Sequence, residues 1–344
     1  MQPQDYCGIL LIDGKYVPVN ELEKETLEMR YKGLLPKSSK HHKVKKGLVL
    51  LPFMDYLTHD VVIHVMASSE NMYELRKGFK KLKELNYDLK ILVCDESMGE
   101  IAAVAKEFYP DVIIQLCLKH YSANIDRVFK VNGAKRSIKS LQKKLDKLND
   151  SFLISTYHYA RQSALTLVNQ IAELEYEYHP LIRIQQIFQS IFREAETQEE
   201  IDRLEDELNA FIATIDLDTC KYADRIRKRY SDYYEKRDQL IAFVHYPDLD
   251  IPKTTNLIEG FNSTTLEIRL GSIRGFESET TARNYMNALI LKYRFHKFTD
   301  CKKKFKKLNG KSPLEIATPL HHLKNLRSRD WVELCRELKP KNAP

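Results

Sequence analysis

At 344 residues and 43% hydrophobic, the chain can bury a sizeable core in one large or two ordinary domains, which excludes disorder over most of its length. Six scattered cysteines exclude a dense disulfide scaffold, and no apolar run approaches the ~20 residues that span a bilayer, so a soluble cytoplasmic protein with reduced thiols is expected. The net charge of +7 is uneven: residues 251–344 carry 19 Lys and Arg against 9 Asp and Glu, the first 250 carry 36 against 39, and the basic quarter points to a polyanion such as nucleic acid.

In chain order, residues 7–19 (CGILLIDGKYVPV) read as a strand interrupted at Asp13-Gly14 and then resuming. Asp-Gly is equally a hairpin-turn signal, and local sequence favours neither reading. Residues 21–47 read as a charged helix followed by a basic loop, KSSKHHKVKK. Residues 48–56 and 61–67 are apolar runs joined as an antiparallel hairpin, and 70–85 carry apolar residues at helical spacing. Residues 89–94 are the short apolar run of a strand covered on both faces, ending at Asp95. A helix over 98–108 and a strand over 112–116 follow, the latter ending near Cys117 and His120. Strand, crossover helix and strand make a parallel unit whose ligands collect beyond the carboxyl ends of the strands.

The order of three strands, helix, strand, helix, strand, helix is that of an α/β fold with an RNase H-like mixed sheet, three antiparallel strands extended by two parallel ones. Its first and fourth strands are neighbours, so Asp13 and Asp95 should meet although 82 positions apart. From about residue 125 the strand signals stop. Helices are expected over 135–148, over 152–174, from Pro180 to about 194, from a capping box at Thr197 and Glu200, and over about 219–244. The chain then returns through TTNLIEGFNSTTLEIRLGSIRGFES, where Glu259 falls near a helix start, spaced from Asn256 as a capping box. A helix over 278–298 leads to the lysines Lys302, Lys303, Lys304, Lys306 and Lys307 and to a tail of short helices with Trp331. The expected organisation is a core in two parts, 1–124 and 246–300, around a helical insertion at 125–245, with a basic helical tail at 301–344.

Asp13 and Asp95 on adjacent strands, with Glu259 on the returning helix, would gather three carboxylates around one point. Hard oxygen donors suit Mg²⁺ or Mn²⁺, and two such ions ~4 Å apart activate an attacking oxygen and stabilise a leaving one. Phosphodiester cleavage or transfer is the reaction class implied. Asp13 as a turn residue and Glu259 as a cap are the competing readings. Cys117 and His120 are half of a zinc site with no second pair at matching spacing, so they are expected as packing and capping residues, with a structural or transition-state contact for His120, and not as ligands. Asn256, Asn262, Arg269 and Arg274 flank Glu259 and are candidates for DNA phosphate contacts, with capping and surface charge as the alternative.

The run from LLIDGKYVPV through LVCDES and the C-x2-H of Cys117 and His120 to TTNLIEGFNSTT, IRGFES and NGKSPLEIA resembles the catalytic domain of DDE transposases of the Mutator-like group and related prokaryotic insertion sequences. The resemblance covers about residues 8–317. It implies Asp13, Asp95 and Glu259 as the catalytic and metal-binding triad, Mg²⁺ or Mn²⁺ as cofactor, and DNA cleavage and strand transfer at transposon ends. It also implies action as a dimer or larger assembly on DNA in a prokaryotic cytoplasm. Only 12 residues precede Asp13, where such transposases carry a DNA-binding region. A non-catalytic DNA-binding descendant and an RNase H-fold nuclease without strand transfer are the alternatives.

Overall fold

The structure, a computed structural model, describes residues 6–22, 47–69, 71–96, 99–151 and 157–317. The charged stretch and KSSKHHKVKK loop at 23–46 and the tail beyond 317 with Trp331 lie outside the described residues. The chain divides into two units, Met1–Cys117 with Ile251–Pro344, and Leu118–Asp250.

The first unit is built on a mixed sheet of β1 (Ile9–Ile12), β2 (Lys15–Pro18), β3 (Gly47–Asp55), β4 (Val61–Ala67), β5 (Ile91–Cys94) and β6 (Ile113–Leu116). Every residue of β1 and β5 is buried, as the unbroken apolar runs ILLI and ILVC require of strands covered on both faces. β3 pairs antiparallel with β1, β2 and β4, whereas β1 pairs parallel with β5, and β5 with β6. The order across the sheet is therefore β4, β3, β1 with β2, β5, β6.

β1 and β2 lie end to end along one edge of β3, because the register runs on from Ile12 opposite Phe53 to Lys15 opposite Leu50. Asp13-Gly14 is thus a gap within one strand line and not a hairpin turn. The same register sets Asp13 opposite Pro52. The bond from Tyr56 N to the Ile9 carbonyl at 2.9 Å identifies Tyr56, Met54 and Pro52 as the alternate residues turned toward β1. Proline has no N–H to donate, so the ladder breaks at Asp13.

Helix α1 (Met72–Glu84) starts at Asn71, whose side chain accepts from Glu74 N, and it buries Leu75, Phe79 and Leu82. The Phe53 ring lies so close to Gly78 that any β-carbon there would collide with it, and it meets Phe79 edge-on at 5.5 Å. α2 (Gly99–Phe108) is the crossover between β5 and β6.

At the amino-terminal ends of β1 and β5, two acids are fully buried. Asp55 accepts from Cys7 N, Thr58 N, the Thr58 hydroxyl and the Tyr87 hydroxyl, at 2.9–3.0 Å. Asp60 holds the Arg294 guanidinium through two bonds of 2.7 Å and accepts from the Tyr6 hydroxyl. Burial, then the Asp55 charge, pushes the Cys7 thiol up to about 12.

The second unit contains α3 (Leu118–Phe129), α4 (Val131–Ser151), α5 (Tyr157–Arg193), α6 (Gln198–Ala213), α7 (Ala223–Leu240) and α8 (Ala242–His245). The Thr197–Glu200 capping box forms as expected at the start of α6. Pro180 does not open a helix; it lies inside α5. The buried face of Leu181, Ile184, Ile187, Phe188 and Ile191 holds the helix through a residue that supplies no N–H. Phe188 packs against Tyr233, whose hydroxyl joins Arg237 on Glu205.

Back in the first unit, α9 (Asn256–Phe261) continues as a π-helical segment (Asn262–Glu267) and α10 (Ile268–Leu270). α11 (Glu279–Phe295), capped by Ser278, a 3-10 turn (Lys303–Leu308) and α12 (Pro313–Ala317) follow. No helix among the described residues is long and apolar enough to cross a membrane.

Candidate active site at the carboxyl ends of the parallel strands

β1, β5 and β6 are followed at once by Asp13, Asp95 and Cys117. The parallel register, Leu11 beside Val93 and Cys94 beside Leu116, carries these three to one level, so their side chains leave the same face of the sheet. A bond from Cys117 N to the Cys94 carbonyl at 2.8 Å extends the ladder to that level. Asp13 and Asp95 are half-buried, while Cys94 and Cys117 are fully buried. Burial first, then the charge of Asp95 and the sulfur of Cys117, pushes the Cys94 thiol up to about 12, so Cys94 is a protonated packing residue.

The returning helix crosses this row of strand ends. At one anchor the Thr255 hydroxyl lies 3.2 Å from Cys117 Sγ, and Thr255 N donates to the same sulfur at 3.4 Å. At the other, Asn262 Nδ2 donates to Asp13 Oδ2 at 2.8 Å. From Thr255 to Asn262 a helix rises ~10 Å. Two strand spacings come to ~9.6 Å. The helix therefore runs from the end of β6 to the end of β1, and Glu259 lies midway between the anchors, its carboxylate turned back toward Thr255 and Cys117. Glu259 Oε1 accepts from the Thr255 hydroxyl at 3.0 Å. Beyond Asn262, an ion pair of 3.0 Å joins Glu267 to Lys15 of β2, and Phe276 N donates to the Pro18 carbonyl.

Glu259 is not a cap. Thr255 holds the N-cap position without a side-chain cap bond, and Asn256 is the first helical residue, its N–H donating to the Thr254 hydroxyl at 3.5 Å. The Asn256–Glu259 capping box therefore does not form. Asn262 departs from its expected role as a phosphate contact, because it is 5% exposed and committed to Asp13. Its Oδ1 is buried with no hydrogen-bond partner among the described residues. A π-helical turn begins there, a local widening found often at functional sites.

The sulfur of Cys117, a ring nitrogen of His120 and a carboxylate oxygen of Glu259 all lie within 4.8 Å of one another, so this group can hold a metal ion. His120 follows Cys117 by three residues, in the first turn of α3, so the two are set together by the local chain. The sequence assigned Cys117 and His120 no ligand role for want of a second pair; Glu259, from far along the chain, supplies a third donor instead. Asp13 and Asp95 are not in that group. One sulfur, one nitrogen and one oxygen suit zinc better than magnesium, whereas Asp13 and Asp95 offer oxygen alone.

Asn256, Arg269 and Arg274 are exposed, as are Lys302, Lys303, Lys304, Lys306 and Lys307. The lysines surround Phe305, whose ring packs against His59 at 4.4 Å and Tyr56 at 5.4 Å, so an aromatic anchor fixes the basic turn to the β3–β4 hairpin. Thr255 escaped the sequence reading; its only signal was a threonine one residue before the helix. A comparison with known proteins found no family and no curated protein that matches this chain.

Proposed function

We propose that the sheet unit is an RNase H-like polynucleotidyl transferase core of the DDE transposase kind, cleaving DNA and joining the freed 3′ hydroxyl to a target. The observation that carries this reading is the helix anchored at Cys117 and Asp13, which carries Glu259 along the row of strand ends that includes Asp95. On this reading three carboxylates from sequence-distant elements would close on one point at the carboxyl edge of a parallel pair, the position at which such sheets bind ligands. The strand order, β4, β3, β1, β5, β6, is that of the RNase H-like sheet, which supports the finer fold assignment.

Asp13, Asp95 and Glu259 would hold Mg²⁺ or Mn²⁺, which when bound activates the attacking oxygen and stabilises the leaving one. The protein's own part is to fix the acids. Asn262 orients Asp13, Thr255 orients Glu259, and the unsatisfied Oδ1 of Asn262 awaits a donor from a bound group or its water. The exposed lysines around Phe305 suit the phosphate backbone.

A second reading keeps the fold and moves the ion. Cys117, His120 and Glu259 would hold zinc, and Glu259 would be unavailable to the aspartates. One experiment separates the two. Purified protein is given supercoiled plasmid, and separately a precleaved duplex with a 3′ hydroxyl, in Mg²⁺ or Mn²⁺, while its bound zinc is measured. The transferase reading expects nicking and joining that fall at least ~100-fold in Asp95→Asn and Glu259→Gln and persist in Cys117→Ser. Nicking that survives Asp95→Asn sinks it. Stoichiometric zinc lost in both Cys117→Ser and Glu259→Gln, with no nicking, selects the second reading.

A further inference from the structure

We propose that the outer edge of β4 takes an extended acidic peptide of another protein as an added strand. Among the described residues β4 pairs only with β3. Its other edge opens into a groove between α1 and α11, with cavities of about 620 and 280 Å³ that share His64, Lys81 and Asn287.

Strand alternation fixes what this edge offers. His64 lies opposite Pro52, which has no N–H to give it, and the Met66 carbonyl accepts from Arg283 Nη1 of α11 at 2.9 Å. Both facts put the N–H and C=O groups of His64 and Met66 on the outer edge, while a register shift between Phe53 and Met54 interrupts the alternation at Val62. The two helices flank opposite faces of the strand line. Phe53, opposite Ile63, packs on α1, whereas His64 Nε2 bonds Asn287 Oδ1 of α11 at 2.7 Å. The slot between the helices therefore continues the layer of the sheet, and a chain lying in it would be the next strand.

The charge of the slot selects the occupant. Lys77, Lys80 and Lys81 line it from α1 and Arg283 from α11, four cations against the two acids Glu74 and Glu84. Lys77 is paired with Glu74 at 3.0 Å and Arg283 with Glu279 at 3.4 Å, whereas Lys80 and Lys81 are exposed and form no ion pair among the described residues. Two uncommitted cations beside a ladder of alternating donors and acceptors match a peptide that carries both backbone groups and acidic side chains. A phosphodiester chain offers acceptors alone and would set its oxygens against the His64 carbonyl.

The probe is a fluorescein-labelled octapeptide of alternating valine and glutamate, capped at both ends, titrated into the full chain. Saturable binding is expected, weakened tenfold or more in Lys80→Glu/Lys81→Glu, with slowed hydrogen exchange at the His64 and Met66 amides. The same peptide N-methylated at alternate residues should not bind, because it cannot pair with the edge. Equal binding of the methylated peptide reduces the contact to charge and overturns the proposal. So does an octadeoxythymidylate that displaces the peptide and gives the same amide protection. Amides already protected in the free chain together with a sedimenting dimer give the edge to a second copy and also overturn it, as does absence of binding.

Discussion

The two ends of the sheet each gather aspartates, and they treat them in opposite ways. At the amino-terminal end of β1, Asp55 and Asp60 are fully buried, one held by four donors of 2.9–3.0 Å and the other clamped by Arg294. At the carboxyl end, Asp13 and Asp95 are half-buried, and the side chain that orients Asp13 has an oxygen to spare. Equal residue types thus divide into a fully buried set that fixes the fold and a half-buried set at the edge where the parallel strands end. The distinction lies in how far each carboxylate is withdrawn from water.

The largest effect that would test this division is on stability. Asp60→Ala leaves the buried Arg294 without its counter-charge and should cost ~3–5 kcal/mol. Asp95→Asn should change stability by no more than ~0.5 kcal/mol, because it leaves no buried charge behind. Urea titration of both variants checks the pair; equal losses would erase the difference between the two ends.

The next effect is a pH dependence that sharpens the comparison at the fold-fixing end. His59, in the hairpin that carries Asp60, is depressed to about 4 by burial. The folded protein keeps it neutral while the unfolded chain protonates it below its ordinary value. Stability should thus be full above about pH 6.5 and decline as pH falls toward 4, by ~2–3 kcal/mol from this group. His59 has φ 57°, which asparagine tolerates, so His59→Asn should fold and remove that part of the slope in denaturant titrations across pH. An unchanged slope would mean that acids elsewhere set it.

The smallest effect is at Asn262. Asn262→Ala removes one bond to Asp13 and should cost ~1 kcal/mol by thermal unfolding. Any DNA nicking should fall much further than stability, because Asp13 would lose its orientation. Parallel losses would make Asn262 a packing residue only.

Where the chain signals through its own neighbours, the sequence was legible. The apolar runs of β1, β3, β4 and β5 and the Thr197–Glu200 box gave their elements, and Asp13, Asp95 and Cys117 were found as strand-end residues. Features set by distant partners were hidden. The gap at Asp13-Gly14 depends on Pro52 in the next strand, so local sequence could not choose between gap and hairpin. Pro180 reads as a helix start until the apolar face on both sides of it is seen to be packed. Asn262 looked like a surface amide because burial is a tertiary property, and Glu259 looked like a cap because Asn256 competes with Thr255 for the N-cap position that Thr255 takes. The third donor beside Cys117 and His120 was invisible for the same reason.

The bond between Asn262 and Asp13 joins residues 249 positions apart. A ribosome finishes β1, β5 and β6 long before it reaches the residue that closes the row of strand ends. During that interval Asp13 lacks the Asn262 amide that bonds it. Strand pairing of the first elements can proceed as the chain emerges, but Glu259 arrives only after the whole helical unit has been made. The growing polypeptide therefore has a built-in delay between acquiring its scaffold and acquiring the helix that carries Glu259. Moving the segment that carries Glu259 and Asn262 ahead of β1 by circular permutation would remove that delay.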